Sequence, residues 1–219
     1  MKKYKAIIFD LDGTLLDTLK GITDAVNLTF EQLGYDIRHD YVTAKNFIGS
    51  GALEFVNRAM KGMDLTFEKK DEIGQRFLLN YKKLQNKASN PYLGVSELLK
   101  DLKEAGYKIC LASNKPQALL DAIIDEKFPD IKFDIRFGQR NDVPIKPDPT
   151  IVNIIRKELN LKKEECLYVG DSIYDYETAK NANVDCMIVK YGYGFYDQEF
   201  VKKSTFAVDH VEDIRKILL

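Results

Sequence analysis

A doubly wound α/β sheet carrying a helical insertion is the architecture this sequence predicts, on three observations. Short continuous apolar runs recur along the chain, amphipathic helical patterns separate most of them, and one stretch near the amino terminus reads as helices alone. The runs are AIIF (6 to 9), ICLA (109 to 112), LYVG (167 to 170) and MIV (187 to 189), with weaker candidates at 135 to 137 and 205 to 208. Unbroken apolar runs, as opposed to alternating ones, suit strands buried on both faces of a parallel sheet.

The helices between them follow from spacing and stop signals. VSELLKDLKEAG closes on Gly106, a residue suited to the position just past a helix end, and PQALLDAIIDEK, PTIVNIIRKELN and DYETAKNAN carry apolar or small residues at helical intervals. Residues 18–89 lack a strand signal. There LKGITDAVNLTFEQLG puts Ile22, Val26, Phe30 and Leu33 on one face, and ALEFVNRAM and a longer segment around Phe77, Tyr81 and Leu84 follow. This predicts a helical cap at 18–89 inserted into a core of 1–17 and 90–219, with hinges near Leu16 to Thr18 and Ala88 to Pro91.

Bulk properties narrow the function classes. A chain of 219 residues with 45% hydrophobic and 31% charged residues is expected to be globular and soluble, one main domain with a smaller insertion. Its net charge of −1 argues against a nucleic-acid partner, which calls for a basic surplus. No apolar span long enough for a membrane is visible, and the opening MKKYKAIIFDLD, broken by Asp10 and Asp12, reads as a first strand and not a signal peptide. Cys110, Cys166 and Cys186 lie in or beside strand runs without CxxC spacing, which predicts reduced, buried thiols and a cytoplasmic location.

Chemistry gathers at the strand ends. FDLDGTLLDT places Asp10 and Asp12 at the carboxyl end of the first strand, where open α/β sheets form their ligand crevice, and Gly13 lets the chain turn. Two carboxylates so close repel unless a cation or shared proton relieves them. A second acidic pair, Asp171 and Asp175, follows the strand before GDSIYD, although Asp175 alone could simply cap the next helix. Parallel strands would bring Asp10, Asp12 and Asp171 together, an all-oxygen cluster best matched by magnesium. LASNKP ends a third strand: Ser113 and Asn114, ahead of Pro116, suit the first turn of a helix and a seat for phosphate, though such a helix start is common without one. Lys146, between Pro144 and Pro147, sits in a segment expected to be stiff and extended, either as a fixed positive charge or as an ordinary loop lysine. His39 and His210 fall in the cap and before the last helix, positions that predict no catalytic part.

In this order and after these strands, DLDGT around Asp10, Ser113, Lys146, and the GDSxxD of Asp171 and Asp175 resemble the four motifs of the haloacid dehalogenase superfamily, in its helical-cap subgroup. PYLGV (91 to 95), SNKP (113 to 116), KPDP (146 to 149) and YGYG (191 to 194) further resemble its phosphoglycolate phosphatase branch. The resemblance implies a Rossmann-like core and a magnesium-dependent phosphatase. Asp10 is then the nucleophile, and Asp12 the acid/base that distinguishes phosphate-ester chemistry from the pumps, which have threonine there, and from the dehalogenases. It implies magnesium held by the Asp10 carboxylate, the Asp12 carbonyl and Asp171, with Asp175 supporting indirectly or through water, and phosphoryl oxygens met by Ser113, Asn114 and Lys146.

Substrate choice belongs to the cap in this family. FIGSGALEF (47 to 55) resembles the family's glycine-containing cap loop, so Gly49, Ser50 and Gly51 are candidates to hold a substrate carboxylate, a plain turn being the alternative. For YGYGFY (191 to 196), lining the site mouth and packing against the core or a partner are equally compatible with the sequence. The expected substrate is a small phosphorylated metabolite, phosphoglycolate first, with pyrophosphate, a nucleotide, phosphosugar mutation or non-catalytic binding as alternatives. Mutases typically carry glutamate before the fourth-motif aspartate, where this chain has Gly170. Oligomeric state is not legible.

Overall fold

A computed structural model of the chain describes residues 3–196 and 199–219. From the amino terminus, β1 (Ala6–Phe9) and the two-residue β2 (Leu16–Asp17) precede four helices, α1 (Leu19–Gln32), α2 (Tyr41–Lys45), α3 (Ala52–Ala59) and α4 (Phe67–Ala88). The two-residue β3 (Asn90–Pro91) comes next. From there helix and strand alternate: α5 (Val95–Glu104), β4 (Lys108–Pro116), α6 (Gln117–Lys127), β5 (Ile135–Gln139), α7 (Thr150–Glu158), β6 (Cys166–Gly170), α8 (Ile173–Ala182), β7 (Asp185–Val189), α9 (Glu199–Lys203), β8 (Phe206–Val208) and α10 (Val211–Leu218).

Six strands form one sheet in the order β5-β4-β1-β6-β7-β8, each neighbouring pair parallel. The chain winds outward from β1 through β4 to β5, returns to β6 on the other side of β1, and winds outward again. Alternation along each strand divides its side chains between two cores. Ile7, Phe9, Ile109, Leu111, Leu167 and Val169 pack with Leu98, Leu99 and Leu102 of α5, Ile123 of α6 and Ile214 of α10. Ala6, Ile8, Cys110, Ala112, Cys166 and Tyr168 pack on the opposite face with Ile151, Val152 and Ile155 of α7 and Ala179 of α8. Both faces being covered explains why the strands read as unbroken apolar runs; each side chain the size of Ile7 or Phe9 contributes roughly 1.5–3 kcal/mol when fully buried.

The chain divides into two compact units, residues 1–17 with 91–219, and Thr18–Asn90. In the second unit α1 and α4 pack along their lengths, burying Ile22, Val26 and Phe30 against Ile73, Phe77 and Tyr81, while α3 adds Phe55 and Val56. Phe77 stacks on both Phe55 and Tyr81, with ring centroids 6.0 and 5.6 Å apart. Leu33, expected on the buried face of α1, is partly exposed because the helix ends at Gln32 and Gly34 turns the chain with φ 77°. The two-residue strands β2 and β3, which no sequence pattern announced, pair with each other as a separate small sheet.

Candidate active site

Strand register assembles the site. Phe9, the last residue of β1, stands level with Leu111 of β4 on one side and Val169 of β6 on the other. The residues that follow all emerge from the same edge: Asp10 from β1, Ser113 on β4 and Asp171 after β6. Asp10 is tied to β6 by its main-chain N–H, which donates to the Val169 carbonyl at 2.9 Å. After Leu11 the backbone curls so tightly that the N–H groups of Thr14, Leu15 and Leu16 converge on the Leu11 carbonyl. Gly13 makes this turn with φ 88°, and a Cβ on it would lie 2.4 Å from Asp171 Oδ2, so glycine is required on both grounds.

Carboxylate oxygens of Asp10, Asp171 and Asp175, all buried, lie within 4.8 Å of one another. The grouping differs from the expected one: Asp175 takes the place assigned to Asp12, whose carboxylate turns to Lys115 at 3.2 Å. Burial pushes Asp10 up to about 7, aided by Asp175 and Asp12, while the Lys146 ammonium pulls it down. Burial likewise raises Asp171 well above the carboxylate range, with Asp175 and Asp10 adding to the effect.

Lys146 is one of the two cations at the centre of the site. Its Nζ is 2.7 Å from Asp175 Oδ1 and 2.9 Å from Asp10 Oδ1, with 2% of its side chain exposed. Burial works against its charge, yet the two aspartates outweigh it and hold the ammonium well above its ordinary range. The segment is not extended as expected. Lys146 lies in a turn with a cis bond to Pro147, and the Asn114 side chain secures it, Oδ1 accepting from Lys146 N at 2.8 Å and Nδ2 donating to Lys146 O at 3.2 Å. Asn114, a candidate phosphate contact, therefore has its amide engaged by the Lys146 backbone.

Asp175 caps the next helix, as its sequence allowed, and also lies in the acidic group. It closes a capping box with Ser172 at the start of α8, its Oδ2 accepting from Ser172 N at 3.0 Å and Ser172 Oγ at 2.6 Å. Its Oδ1 meets Lys146 and the Tyr168 hydroxyl, 3.2 Å away. Gly170 leaves room for this, because a Cβ there would fall 2.3 Å from the Asp175 carboxyl carbon.

The helix expected at Pro116 begins one residue later, and Ser113 and Asn114 ahead of it lie in strand. β4 continues through Ser113, Asn114 and Lys115 to Pro116, which pairs with Gln139 after a bulge, and α6 starts only at Gln117. Proline restricts the residue before it to extended backbone, which favours the strand. Ser113 Oγ accepts from the Lys115 main-chain N–H at 3.2 Å.

Lys115 and Thr14 join the site without having been expected there, and Tyr193 brings in the YGYG loop. Lys115 is 3% exposed and pairs with Asp12; alternation with Ser113 along a strand was the signal available. Thr14 Oγ1 donates to Asp171 Oδ1 at 3.4 Å, and the Tyr193 main-chain N–H donates to Asp171 Oδ2 at 2.6 Å. The YGYG loop is thus fastened to the site: Tyr193 also donates its hydroxyl to Asp17 Oδ1 at 2.7 Å, and Tyr191 donates to the Thr14 carbonyl at 3.0 Å.

In the second unit, Gly51 with φ 89° opens α3, and Ser50 Oγ accepts from Arg58 Nη2 at 2.8 Å. Arg58 also reaches the Phe47 carbonyl, at 3.3 Å, so the Gly49 to Gly51 loop is braced from within its own unit. His39 is held in the same unit between the rings of Phe30 and Phe47, and His210 begins α10 in a capping box, as expected of residues outside the chemistry.

The donor set fits a hard divalent cation. Asp10 Oδ1 is buried, with the Lys146 ammonium 2.9 Å away as its ion-pair partner. Asp10, Asp12, Asp171 and Asp175 against Lys115 and Lys146 leave a formal excess of two negative charges, the complement of one such ion.

Residues 4–183 match the family model of haloacid dehalogenase-like hydrolases, and the chain belongs to that family. A phosphoglycolate phosphatase of Colwellia psychrerythraea is 31% identical over 89% of this chain and 88% of its own, and one of Psychrobacter arcticus is 33% identical over 86% and 84%. Among solved structures, a predicted phosphoglycolate phosphatase of Haemophilus somnus superimposes with a TM-score of 0.92 at 27% identity, each chain covered in full. The chain is a phosphatase of this family, a phosphoric monoester hydrolase, and no helix among its described residues is long and apolar enough to cross a membrane.

Proposed function

We propose that the protein hydrolyses a small phosphomonoester, phosphoglycolate foremost, through an aspartyl phosphate and with magnesium. The observation that carries this reading is the buried Asp10 carboxylate, set between Lys146 and a second aspartate. Asp10 attacks phosphorus as the bond to the leaving oxygen breaks, and Asp12 gives that oxygen its proton. Asp12 then takes a proton from water as the water oxygen bonds to phosphorus and the Asp10–phosphorus bond breaks, releasing inorganic phosphate.

The Asp10 carboxylate, the Asp12 carbonyl and Asp171 are the residues to hold magnesium, which would offset charge on the phosphoryl oxygens. Asp175, with its oxygens already bonded to Lys146, Tyr168 and Ser172, supports the site by fixing Lys146. Ser113 and Lys146 meet the phosphoryl group, and Asn114 keeps Lys146 in place. Residues 1–17 and 91–219 carry the chemistry. The helical unit selects the substrate, with Gly49, Ser50 and Gly51 assigned to its carboxylate. Phosphoglycolate is favoured by the names of the two relatives at 31% and 33% identity.

A phosphate-release screen over small phosphomonoesters, nucleotides and pyrophosphate, with and without magnesium, tests all of this. The expected result is activity that is lost on chelation and highest in kcat/KM for phosphoglycolate. Pyrophosphate or a nucleotide well ahead would replace the substrate assignment, and full activity after rigorous chelation would remove magnesium.

A further inference from the structure

We propose that Lys115 is a positioning residue that aims the Asp12 carboxyl group at the leaving-group oxygen. Resting on the phosphatase reading above, this adds a second lysine to the reaction, with a task different from that of Lys146.

The side chain of Lys115 is 1% exposed, and burying an ammonium group so completely is costly unless a specific partner compensates. That partner is Asp12: Lys115 Nζ lies 3.2 Å from Asp12 Oδ1. By contrast, 18% of the Asp12 side chain remains accessible, so this group can be reached by a reactant while the lysine holds its Oδ1. Lys146 is differently placed. It binds Asp10 and Asp175, whereas Lys115 binds Asp12, and each cation serves its own acid.

The donor chemistry makes this arrangement directional. An ammonium group has three N–H donors and no acceptor, so it bonds a bare carboxyl oxygen and excludes the acid proton from that position. With Lys115 on Oδ1, the transferable proton belongs on Oδ2, and the lysine fixes the plane in which Oδ2 is presented. Rotation of the carboxyl about its χ2 axis, broad for an unrestrained aspartate, is thereby narrowed.

Backbone features supply the rigidity. Lys115 lies in β4 within the irregularity that shifts the pairing with β5 between Ala112 and Pro116, and bulges characteristically re-aim a side chain. Its main-chain N–H donates to Ser113 Oγ, and Asn114 between them is fixed to the Lys146 backbone. The SNK sequence thus connects three site elements: Ser113 beside the lysine's own backbone, Asn114 on Lys146, and Lys115 on Asp12.

Leaving-group dependence separates positioning from mere structural support. An alkyl phosphate such as phosphoglycolate expels a poor leaving group that needs the proton, whereas a nitrophenyl phosphate does not. The ratio to follow is kcat/KM, which reports steps through the first phosphoryl transfer and is insensitive to later breakdown of the phosphoenzyme. In Lys115→Met, kcat/KM for the alkyl ester should fall about 10- to 100-fold, with a change of about threefold or less for the aryl ester. Lys115→Arg should recover part of the alkyl activity. Asp12→Asn should show the same selective loss, and the double variant Asp12→Asn with Lys115→Met should lose no more than Asp12→Asn alone, since the two act as one unit.

Equal losses on both esters, no loss on either, or additive losses in the double variant would each overturn the proposal while the phosphatase reading stands. Absence of any selective loss in Asp12→Asn would overturn that reading and this inference together. Thermal denaturation establishes that the variants fold, and Lys115→Gln gives the same comparison should the methionine variant fail to do so.

Discussion

Asp10 and Asp12 are two residues apart in sequence, yet the structure gives them different surroundings. Asp10 is buried beside Lys146 with its carboxyl raised by burial, and Asp12 is partly accessible and held by Lys115. Asp10→Asn is therefore expected to abolish both turnover and covalent labelling. Asp12→Asn should reduce turnover by about 10²–10⁴ while phosphate accumulates on the protein from an activated aryl ester. Intact-protein mass after an acid quench distinguishes these outcomes; a labelled Asp10 variant would reverse the assignment. Asp171 offers a prediction about the metal. Without a cation, its buried charge is opposed by Asp175 and Asp10, so Asp171→Asn should leave the metal-free melting temperature equal or higher. The same variant should lose the stabilisation that magnesium gives the wild type, which is about 2.7 kcal/mol at a hundredfold excess over Kd. A preserved magnesium-dependent shift in melting temperature would remove Asp171 from the ligand set.

Between elements, two small features hold the site together. Gly170 ends β6 where α8 must bring Asp175 back toward Lys146, and Asn114 joins β4 to the loop that carries Lys146. In Gly170→Ala the new methyl group would meet the Asp175 carboxyl carbon at 2.3 Å, so either the strand end or the first turn of α8 must move. The expected cost is about 1–3 kcal/mol in stability with a clear fall in kcat, measured by denaturant unfolding and steady-state kinetics. Wild-type stability and rate in that variant would show that Asp175 has freedom the packing denies. Asn114→Ala leaves a buried N–H and C=O of Lys146 without their partners, a loss of about 1–3 kcal/mol. Here kcat should fall further than KM rises, since the displaced group is a charge at the reacting centre.

For the whole molecule, the parallel sheet and its two covered faces predict the behaviour of the thiols. Cys110, Cys166 and Cys186 are all buried, and burial pushes Cys110 up to about 12 and Cys166 up to about 11. None should react with a thiol reagent at neutral pH in the native protein, and all three should become reactive together with the unfolding transition. A rapidly labelled cysteine under native conditions would show local opening of a strand.

Much of this was legible in the chain itself. Apolar runs located β1, β4, β6 and β7 because strands covered on both faces need no polar side, and even the weak signals at 135 to 137 and 205 to 208 fall within β5 and, but for Thr205, within β8. Asp10 and Asp171 could be placed at one edge because residues following parallel strands must emerge there, whereas Lys146 was pointed to by the family resemblance. What the sequence could not supply was which groups face each other across that edge. Asp175 could be read as a helix cap, and it is one, but its contact with Lys146 depends on α8 and the turn after β5 meeting over Gly170. Lys115 reads as one of 33 basic residues until the register shift in β4 buries it against Asp12. Local spacing determined the elements and their order, since those depend on residues within a few positions of one another. The pairing of charges was decided by tertiary structure, since it depends on the low-dielectric approach of groups 29 residues apart, as for Lys146 and Asp175, or 103 apart, as for Lys115 and Asp12.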